Sequence, residues 1–247
     1  NAETVNTYID LHKDLNIPFE ITISNYTTRI KSVLHDLHFM KTEQSNRVFA
    51  AFSMVKSQVT KFPVQKINTD NLQYYSHAFK EEPFYSDVIF NCDLKSAYAS
   101  ILFNDGMIDR KTFKYLSSLP KMGRLAAVGM LAGKKEVFQI NEQGETVSRE
   151  EIISPTSDYF FYCVKRTAEI MNEATQHLGQ SFLFTWVDGV YFLENPAAAV
   201  NTGKIITDFF ISKGLKSSFE TLTQFNVEVK KDYFYCSYRK EGKLKTM

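Results

Sequence analysis

Apolar positions in the first eighty residues recur mostly at intervals of three and four, which is the period of a helix that faces a core. They do so between Tyr8 and Leu15 and again between Ile30 and Met40. Pro83 ends this stretch before the next apolar run, because proline interrupts regular structure. The pattern predicts a helical N-terminal region over residues 1–80, of unknown role, which we expect to dock a protein partner or to cover the rest of the chain.

Beyond residue 80, short apolar runs alternate with helical periods. Residues 87–93 are predicted as a buried strand that ends in the carboxylate of Asp93, and a helix is predicted from Ser96 to Phe103. A long helix is predicted over residues 157–177. Further helices are predicted at 110–117, 121–132 and 197–213, with a hairpin turn at 141–144.

A second hairpin is predicted between Phe182 and Leu193, where apolar residues flank the dipeptide Asp188-Gly189. This dipeptide favours a tight turn, so Asp188 is expected at the tip of the hairpin. The last thirty or so residues alternate like strands, with Phe225 and Val227 on one apolar face. The order strand, helices, hairpin, helix and strands predicts an antiparallel sheet covered by helices, which is an α+β fold.

Composition narrows the function classes. A chain of 247 residues with 44% hydrophobic residues can bury one sizeable core and a small appended subdomain. Its formal net charge is +1, so contacts with phosphates have to come from local clusters of Lys and Arg. Three widely spaced cysteines in apolar stretches predict buried thiols in a reducing compartment. These are Cys92, Cys163 and Cys236.

No apolar run is long enough to span a bilayer, and the polar N-terminus lacks the apolar block of a secretion signal. We therefore expect a cytoplasmic protein with no membrane partner. His35 and His38 lie three apart on the helix predicted near residues 30–40, a spacing that can bind zinc. Because a zinc site needs at least three converging ligands, we interpret both histidines as structural.

Candidate chemistry begins at residues 93–100. An acidic strand end followed by a helix N-terminus places a metal-binding carboxylate beside a site for anionic oxygens. The spacing DxxSxYxS resembles the first polymerase motif of the family B DNA polymerases, usually DxxSLYPS. The matching residues are Asp93, Ser96, Tyr98 and Ser100, while Ala97 and Ala99 replace the usual Leu and Pro. Taken alone, the segment is equally well explained by an Asp that caps a helix together with Ser96.

Asp188 supplies a second carboxylate, which two-metal phosphoryl transfer needs in order to hold two cations roughly 4 Å apart. The hairpin resembles the third motif of the same family, YxDTDS, with Asp188 at the second Asp. Trp186 occupies the first Asp position and Gly189 the Ser position. An Asp-Gly hairpin by itself is more often only a turn. The match to the third motif is supported by its position, because Asp188 follows Asp93 in the order in which the motifs of the family occur.

A third segment, residues 121–129, resembles the second motif of the family, KxxxNSxYG, at Lys121 and Gly129 only. At helical spacing, Lys121 and Arg124 share one face that can grip a triphosphate. A solvated basic edge on a core helix explains them equally well.

A fourth segment, residues 229–234, resembles the KKxY element that follows the palm and touches the primer. Lys230, Lys231 and Tyr233 match it. On the edge of a strand these side chains would contact the DNA backbone. A charged edge strand that only improves solubility is the alternative.

The resemblance covers residues 86–239 and implies a family B palm over residues 81–247, with very short fingers at about 104–134. It implies that Asp93 and Asp188 are catalytic and hold two Mg²⁺ or Mn²⁺ ions, with Leu94 as a further metal ligand. The nucleotide-binding residues that it implies are Leu94, Lys95, Ser96, Ala97, Tyr98, Lys121 and Arg124, and the primer-binding residues are Lys230, Lys231 and Tyr233. The implied function is template-directed DNA synthesis from dNTPs on a primer-template, with Tyr98 under the incoming sugar.

Three alternatives stay open. The first is an impaired palm that serves as a nucleic-acid-binding or scaffolding subunit, which Trp186 and the short thumb favour. The second is an enzyme for short-tract or poorly templated synthesis. The third is an unrelated sheet-and-helix domain whose motif matches are coincidental. Retention of Asp93 and Asp188 favours an enzyme, because a binding-only module has no need of two carboxylates that repel phosphate.

Overall fold

Helices and antiparallel strands both contribute to the structure, a computed structural model that describes residues 2–40, 46–72, 75–79, 82–194, 201–230 and 233–246. The seven α-helices of these residues are α1 (Ala2–Asp14), α2 (Asn46–Val59), α3 (Ala97–Asn104), α4 (Arg110–Ser117), α5 (Lys121–Gly129), α6 (Ser157–Leu178) and α7 (Thr202–Ser212). The strands are β1 (Phe19–Ser24), β2 (Thr27–Ser32), β3 (Asp36–Met40), β4 (Tyr75–His77), β5 (Phe84–Leu94), β6 (Lys134–Ile140), β7 (Thr146–Ile153), β8 (Phe182–Trp186), β9 (Gly189–Phe192), β10 (Ser217–Val229), β11 (Phe234–Lys240) and β12 (Lys243–Thr246). The predicted α+β class is confirmed.

The chain divides into two compact units, each built from two separate stretches of sequence. The first unit comprises residues 1–66 and 108–161, and the second comprises residues 67–107 and 162–247. Helices α4 and α5, which fall within the predicted fingers, belong to the first unit. The predicted domain boundary near residue 80 and the assignment of a palm and fingers stay predictions.

The first unit contains a five-stranded antiparallel sheet in the order β3-β2-β1-β6-β7. Helix α2 packs beside α4 and α5, and its buried face consists of Val48, Ala51, Val55 and Val59. Gln58 ties α2 to the start of α4, because its amide group donates to Thr112 Oγ1 at 2.7 Å and accepts from the Asp109 N–H group at 2.7 Å.

The N-terminal region is not purely helical, and the helix predicted between Ile30 and Met40 is wrong. Strands β2 and β3 occupy this stretch and form a hairpin. In β2 the burial alternates, with Thr28 and Ile30 inside, so the β-branched residues of this segment follow the period of a strand. His35 lies in the loop between the two strands and His38 lies in β3, so their spacing is not that of neighbours on a helix.

The second unit contains a seven-stranded antiparallel sheet in the order β12-β11-β10-β5-β9-β8-β4. Strand β5, which carries Asp93, lies between β10 and β9 near the middle of the sheet. Residues 87–93 are predicted as a buried strand; β5 confirms the strand and extends it, but Asp87 and Val88 at its start are exposed. The central position means that Asp93 has a hydrogen-bonded strand on each side.

Helices α3, α6 and α7 cover one face of this sheet. Cys92 and Leu94 point into the core that these helices form, and fully buried side chains such as Phe192 and Phe210 fill it. Successive residues of a strand point to opposite faces. Asn91 and Asp93 therefore lie on the other face, together with their cross-strand neighbours. We call this surface the Asp93 face, and we define it by Asn91, Asp93, Gly189, Tyr191, Ser218 and Glu220.

Most other predicted elements are confirmed with small shifts of their ends. The hairpin at 141–144 joins β6 to β7, and the long helix α6 ends at Leu178. The helix predicted over 121–132 ends at Gly129 and continues as one 3₁₀ turn to Ala132; two further 3₁₀ turns lie at Thr69–Asn71 and Gly179–Ser181. Helix α7 begins at Thr202, and residues 197–200 of the helix predicted there lie outside the described residues.

The three cysteines, all within the described residues, are buried and form no disulfide, as predicted. Burial raises the pKa of the Cys236 thiol to about 11, which keeps it protonated near neutral pH. Within the described ranges, no helix is both long enough and apolar enough to cross a membrane.

Candidate functional site

Asp93 and the Asp188-Gly189 dipeptide, almost a hundred residues apart in sequence, are neighbours in the second unit. Asp93 pairs directly with Gly189 across β5 and β9. The next residue, Leu94, donates its backbone N–H to the carbonyl oxygen of Asp188 at 2.9 Å. Both aspartates are half-buried. The fold therefore brings the backbones of the two aspartates that the sequence singles out next to each other.

The turn between β8 and β9 consists of Val187 and Asp188, which confirms Asp188 at the hairpin tip. The dipeptide pattern predicted that Gly189 is part of the turn. In the structure Gly189 is instead the first residue of β9. Val187 has a φ of 54°, a left-handed conformation that is rare for a β-branched residue. Strain of this kind is concentrated at functional sites, because the surrounding structure has to hold it.

Gly189 is needed for space. A Cβ atom at this position would lie 2.9 Å from Asp93 Oδ1, 3.2 Å from Asn91 Oδ1 and 3.4 Å from Tyr191 Cε2. The first of these distances is shorter than real Cβ contacts, so any side chain at 189 would displace the Asp93 carboxylate. The missing side chain lets Asp93 Oδ1 and Asn91 Oδ1 both lie close to the Gly189 backbone on the Asp93 face, and we call the space beside Gly189 the gap.

Asn91 is a site residue that the sequence reasoning missed. Its side chain is 5% exposed, and its Oδ1 is buried without a hydrogen-bond partner among the described residues. A signal was present in the sequence, since Asn91 interrupts an apolar strand two residues before Asp93. A strand places residues two apart on the same face, so Asn91 belongs with the carboxylate rather than with the core.

Other polar groups surround the gap. Tyr191 and Tyr238 share a hydrogen bond, and burial raises the pKa of both hydroxyls. The negative charges of Asp93 and Glu220 raise these two pKa values further. Glu220 forms an ion pair with Lys240 at 2.6 Å. The Asp93 face is thus acidic around Asp93, which favours cations there.

The loop from Leu94 to Ala97 leads from β5 into α3. The N–H group of Leu94 is bonded to Asp188, and that of Lys95 donates to the Lys216 carbonyl at 2.7 Å. Only the N–H groups that follow, from Ser96 onward, remain for the predicted contact with a triphosphate. Ser96 has a φ of 56°, and its side chain makes no capping hydrogen bond. Ser96 therefore occupies the N-cap position of α3, but its side chain does not cap the helix.

Helix α3 is held at its far end by side chains. The hydroxyl of Tyr162 donates to Asp105 Oδ2 at 2.8 Å, and Arg166 Nε lies 3.7 Å from the same oxygen. Burial, together with this hydrogen bond, raises the pKa of Tyr162 to about 12. Asn104 donates to the carbonyl oxygens of Lys213 and Gly214, each at 3.1 Å. Tyr98 is half-buried and packs against the core between the sheet and helices α3, α6 and α7, so its ring is held in place on α3.

The two predicted triphosphate-binding residues of the second motif belong to the first unit. Lys121 is the first residue of α5 and is exposed. Arg124 is half-buried, and its Nη1 donates to the Leu119 carbonyl oxygen at 2.6 Å, which commits part of its guanidinium to the helix start. Their role in nucleotide binding stays a prediction.

Of the predicted primer-binding residues, Lys230 directly follows β10 and Tyr233 directly precedes β11, so neither lies within a strand. The Lys230 N–H donates to the Tyr233 carbonyl at 2.9 Å, and Lys231 lies outside the described residues. Lys230 Nζ forms an exposed ion pair with Glu228 at 2.9 Å, and the Tyr233 side chain is exposed. Asp93 pairs with Ser218, near the opposite end of β10. The structure therefore does not place Lys230 or Tyr233 beside the two aspartates.

Oxygen atoms dominate the donor set around the gap. In the part of the chain that the structure describes, no group of three or more His, Cys, Asp or Glu side chains could hold a metal ion. Mg²⁺ usually takes only one or two carboxylates from the protein and completes its shell with water and phosphate oxygens. Asp93, Asp188 and the unpartnered oxygen of Asn91 fit such an ion.

Comparison of the chain with the models of known protein families and with the sequences of curated proteins finds no match.

Proposed function

We propose that this chain is a DNA-directed DNA polymerase that resembles the palm of family B, and that it transfers nucleotides from dNTPs to a primer 3′ hydroxyl. The observation that best supports this proposal is the pairing of Asp93 with the Asp188-Gly189 hairpin. Two motif aspartates that are distant in sequence are backbone neighbours at the point where β5 meets the β8–β9 hairpin of a helix-covered antiparallel sheet. Nucleotidyl transfer needs such a pair, because two cations have to be held close together.

In the proposed reaction the primer 3′ hydroxyl attacks the α-phosphate of the dNTP in line, and pyrophosphate leaves. Asp93 and Asp188 would hold two Mg²⁺ or Mn²⁺ ions, which would lower the pKa of the attacking hydroxyl and neutralise charge on the leaving oxygens. The start of α3 offers backbone N–H groups to the triphosphate, since Ser96 does not cap them with its side chain. Tyr98, held in the first turn of α3, lies under the sugar and disfavours a ribose.

The test is primer extension by the full chain, with dNTPs and either Mg²⁺ or Mn²⁺. We expect extension of a primer annealed to a template and none with EDTA. A parallel reaction with an unpaired primer separates templated from poorly templated synthesis, because only templated synthesis depends on the annealed strand. Absence of extension on both substrates, with a folded protein and either metal, would contradict the proposal.

A second candidate function, nucleic-acid binding without catalysis, is favoured by an exposed aromatic pair at the hairpin. Trp186 is 49% exposed and Tyr75 is 55% exposed, and their ring centroids are 6.2 Å apart with an interplanar angle of 30°. Exposed rings of this kind provide a surface on which unpaired bases stack.

Trp186 is the single tryptophan of the chain, so its fluorescence reports on this surface directly. We expect an unlabelled single-stranded DNA to quench the fluorescence in a saturable manner. Tyr75→Ala is expected to weaken the affinity roughly tenfold, since a base–aromatic stack contributes about 1–3 kcal/mol. Tyr85→Ala is a matched control, because Tyr85 is a similarly exposed tyrosine of the same sheet. Binding without extension would favour the second candidate function. Unchanged fluorescence would show that the aromatic pair is not part of the DNA-binding surface.

A further inference from the structure

We propose that the amide oxygen of Asn91 is a third oxygen of the cation site, beside the carboxylates of Asp93 and Asp188. This inference rests on the proposed function, and it assigns a ligand role to a residue that no motif marks. It specifies the chemistry of the site as two carboxylates and one neutral amide oxygen, a set that suits a hard divalent cation such as Mg²⁺ or Mn²⁺.

The first argument is the state of Asn91 itself. Its side chain is buried in the middle strand of the sheet, and the oxygen has no hydrogen-bond partner among the described residues. Buried polar atoms are nearly always hydrogen-bonded, and an exception calls for an explanation such as an ion. A strand centre also disfavours Asn, whose short amide packs poorly there. A group that is unfavourable both in burial and in propensity is best explained by a bound partner.

The second argument is direction. Asn91 Oδ1 and Asp93 Oδ1 lie 3.2 Å and 2.9 Å from a single point, the position that a Cβ of residue 189 would occupy. Gly189 is thus the floor of the gap, and both oxygens lie beside it. A cation that binds Asp93 from this side meets the Asn91 oxygen as well. Asp188 precedes the same glycine, and its backbone is tied to β5 through Leu94.

The third argument is charge. The neighbouring tyrosines, Tyr191 and Tyr238, are hydrogen-bonded to each other, and Asp93 and Glu220 add negative charge to their surroundings. Two acceptor oxygens that converge in an acidic environment are stabilised by a positive partner. Lys240, a cation of this sheet, already forms an ion pair with Glu220. A metal ion would supply positive charge beside these oxygens.

The test measures Mn²⁺ binding to the full chain by electron paramagnetic resonance, in which the signal of free Mn²⁺ falls as the ion binds. Asn91→Val removes the oxygen and keeps a residue that strands accept. We expect its affinity for Mn²⁺ to fall about tenfold or more, the scale on which supporting metal-site groups act. Asn91→Asp restores an oxygen at the same position and is expected to bind at least as tightly as the wild type. Asn226→Val, on β10 at the other end of the sheet, is the matched control.

A second readout without metal separates a ligand from a merely structural residue. Because an unpartnered buried oxygen destabilises the metal-free protein, Asn91→Val is expected to raise its thermal midpoint by a few degrees. Addition of Mn²⁺ is expected to stabilise the wild type more than this variant, since only binding to the folded state raises the midpoint. Higher metal-free stability combined with weaker Mn²⁺ binding is the signature of an oxygen retained for a ligand.

The two proposals fail in different ways. If the wild type binds Mn²⁺ and Asp93→Asn abolishes binding while Asn91→Val binds normally, the role of Asn91 is wrong and the carboxylate site stands. If the wild type does not bind Mn²⁺ at all, the proposed function loses its metal site and the role of Asn91 falls with it. A drop in the metal-free thermal midpoint of Asn91→Val, with Mn²⁺ affinity unchanged, also overturns the inference.

Discussion

Replacing either Asp93 or Asp188 by Asn is expected to reduce primer extension about a thousandfold or more, because each carboxylate contributes several kcal/mol of charge stabilisation at a metal site. Asn has nearly the same shape as Asp, so the strand pairing of Asp93 with Gly189 should survive. The measurement is single-turnover extension of a labelled primer, with circular dichroism to confirm that each variant is folded. Loss of activity in both folded variants would establish that the two motif carboxylates act together.

The matched control is Asp208→Asn, which removes a carboxylate from the exposed side of α7 in the same unit. We expect it to extend primers at the wild-type rate. If Asp93→Asn extends nearly as well as the control, the site assignment is wrong even if the chain is a polymerase. If all three variants and the wild type bind DNA but extend nothing, the chain is a binding module.

Gly189→Ala is expected to lower the extension rate about a hundredfold, since a misplacement of about 1 Å in a catalytic group costs on that order. The new Cβ would lie 2.9 Å from Asp93 Oδ1, so the carboxylate has to move away from the gap. A carboxylate is the flexible end of its side chain and can rotate, so the fold should tolerate the change better than the site does. We therefore expect a small change in the free energy of unfolding and a large loss of Mn²⁺ affinity.

Gly129→Ala provides the comparison. Nothing lies within 4 Å of a Cβ at this position, and the backbone there is helical, with φ of −61°. Ala is favoured over Gly in a helix by up to about 1 kcal/mol, so this variant should be slightly more stable and fully active. Gly189→Ala with wild-type activity and wild-type Mn²⁺ affinity would show that the gap has no function.

The sequence predicts the parts of this fold whose patterns are local. The apolar run that ends at Asp93 and the long helix α6 both follow from the period of their own residues. The segment from Ile30 to Met40 misleads, because apolar residues three and four apart also occur in a tight β-hairpin. There the β-branched residues and the alternating burial of β2 decide the structure, and the burial depends on partners that the local sequence does not name.

For the site, the sequence identifies the two aspartates but does not predict that their backbones are neighbours in the fold. The pairing of Asp93 with Gly189 depends on the strand order of the whole sheet, which no local pattern specifies. The reason for a glycine at position 189 was also not predicted. The dipeptide suggested a turn, whereas the structure shows that a Cβ atom there would lie too close to the Asp93 carboxylate. Asn91 was within reach, because the period of two in β5 aligns it with Asp93. The separation of Lys230 and Tyr233 from Asp93 along β10 could not be predicted from the local sequence.

The discontinuity of the two units has a consequence for synthesis on the ribosome. Phe19 in β1 pairs with Ile140 in β6, roughly 120 positions later, and Asp93 pairs with Ser218 at a similar separation. At about 5–20 residues per second, translation takes roughly 6–25 s to cover such an interval. Strand β5 has neither neighbour until β9 is made, and it lacks β10 for the whole interval, so its apolar residues and the Asn91 and Asp93 oxygens are at first open to other chains. We expect the nascent protein to depend on chaperones in this interval, and a ribosome that stalls before β9 to release a chain in which Asp93 has no hairpin to pair with.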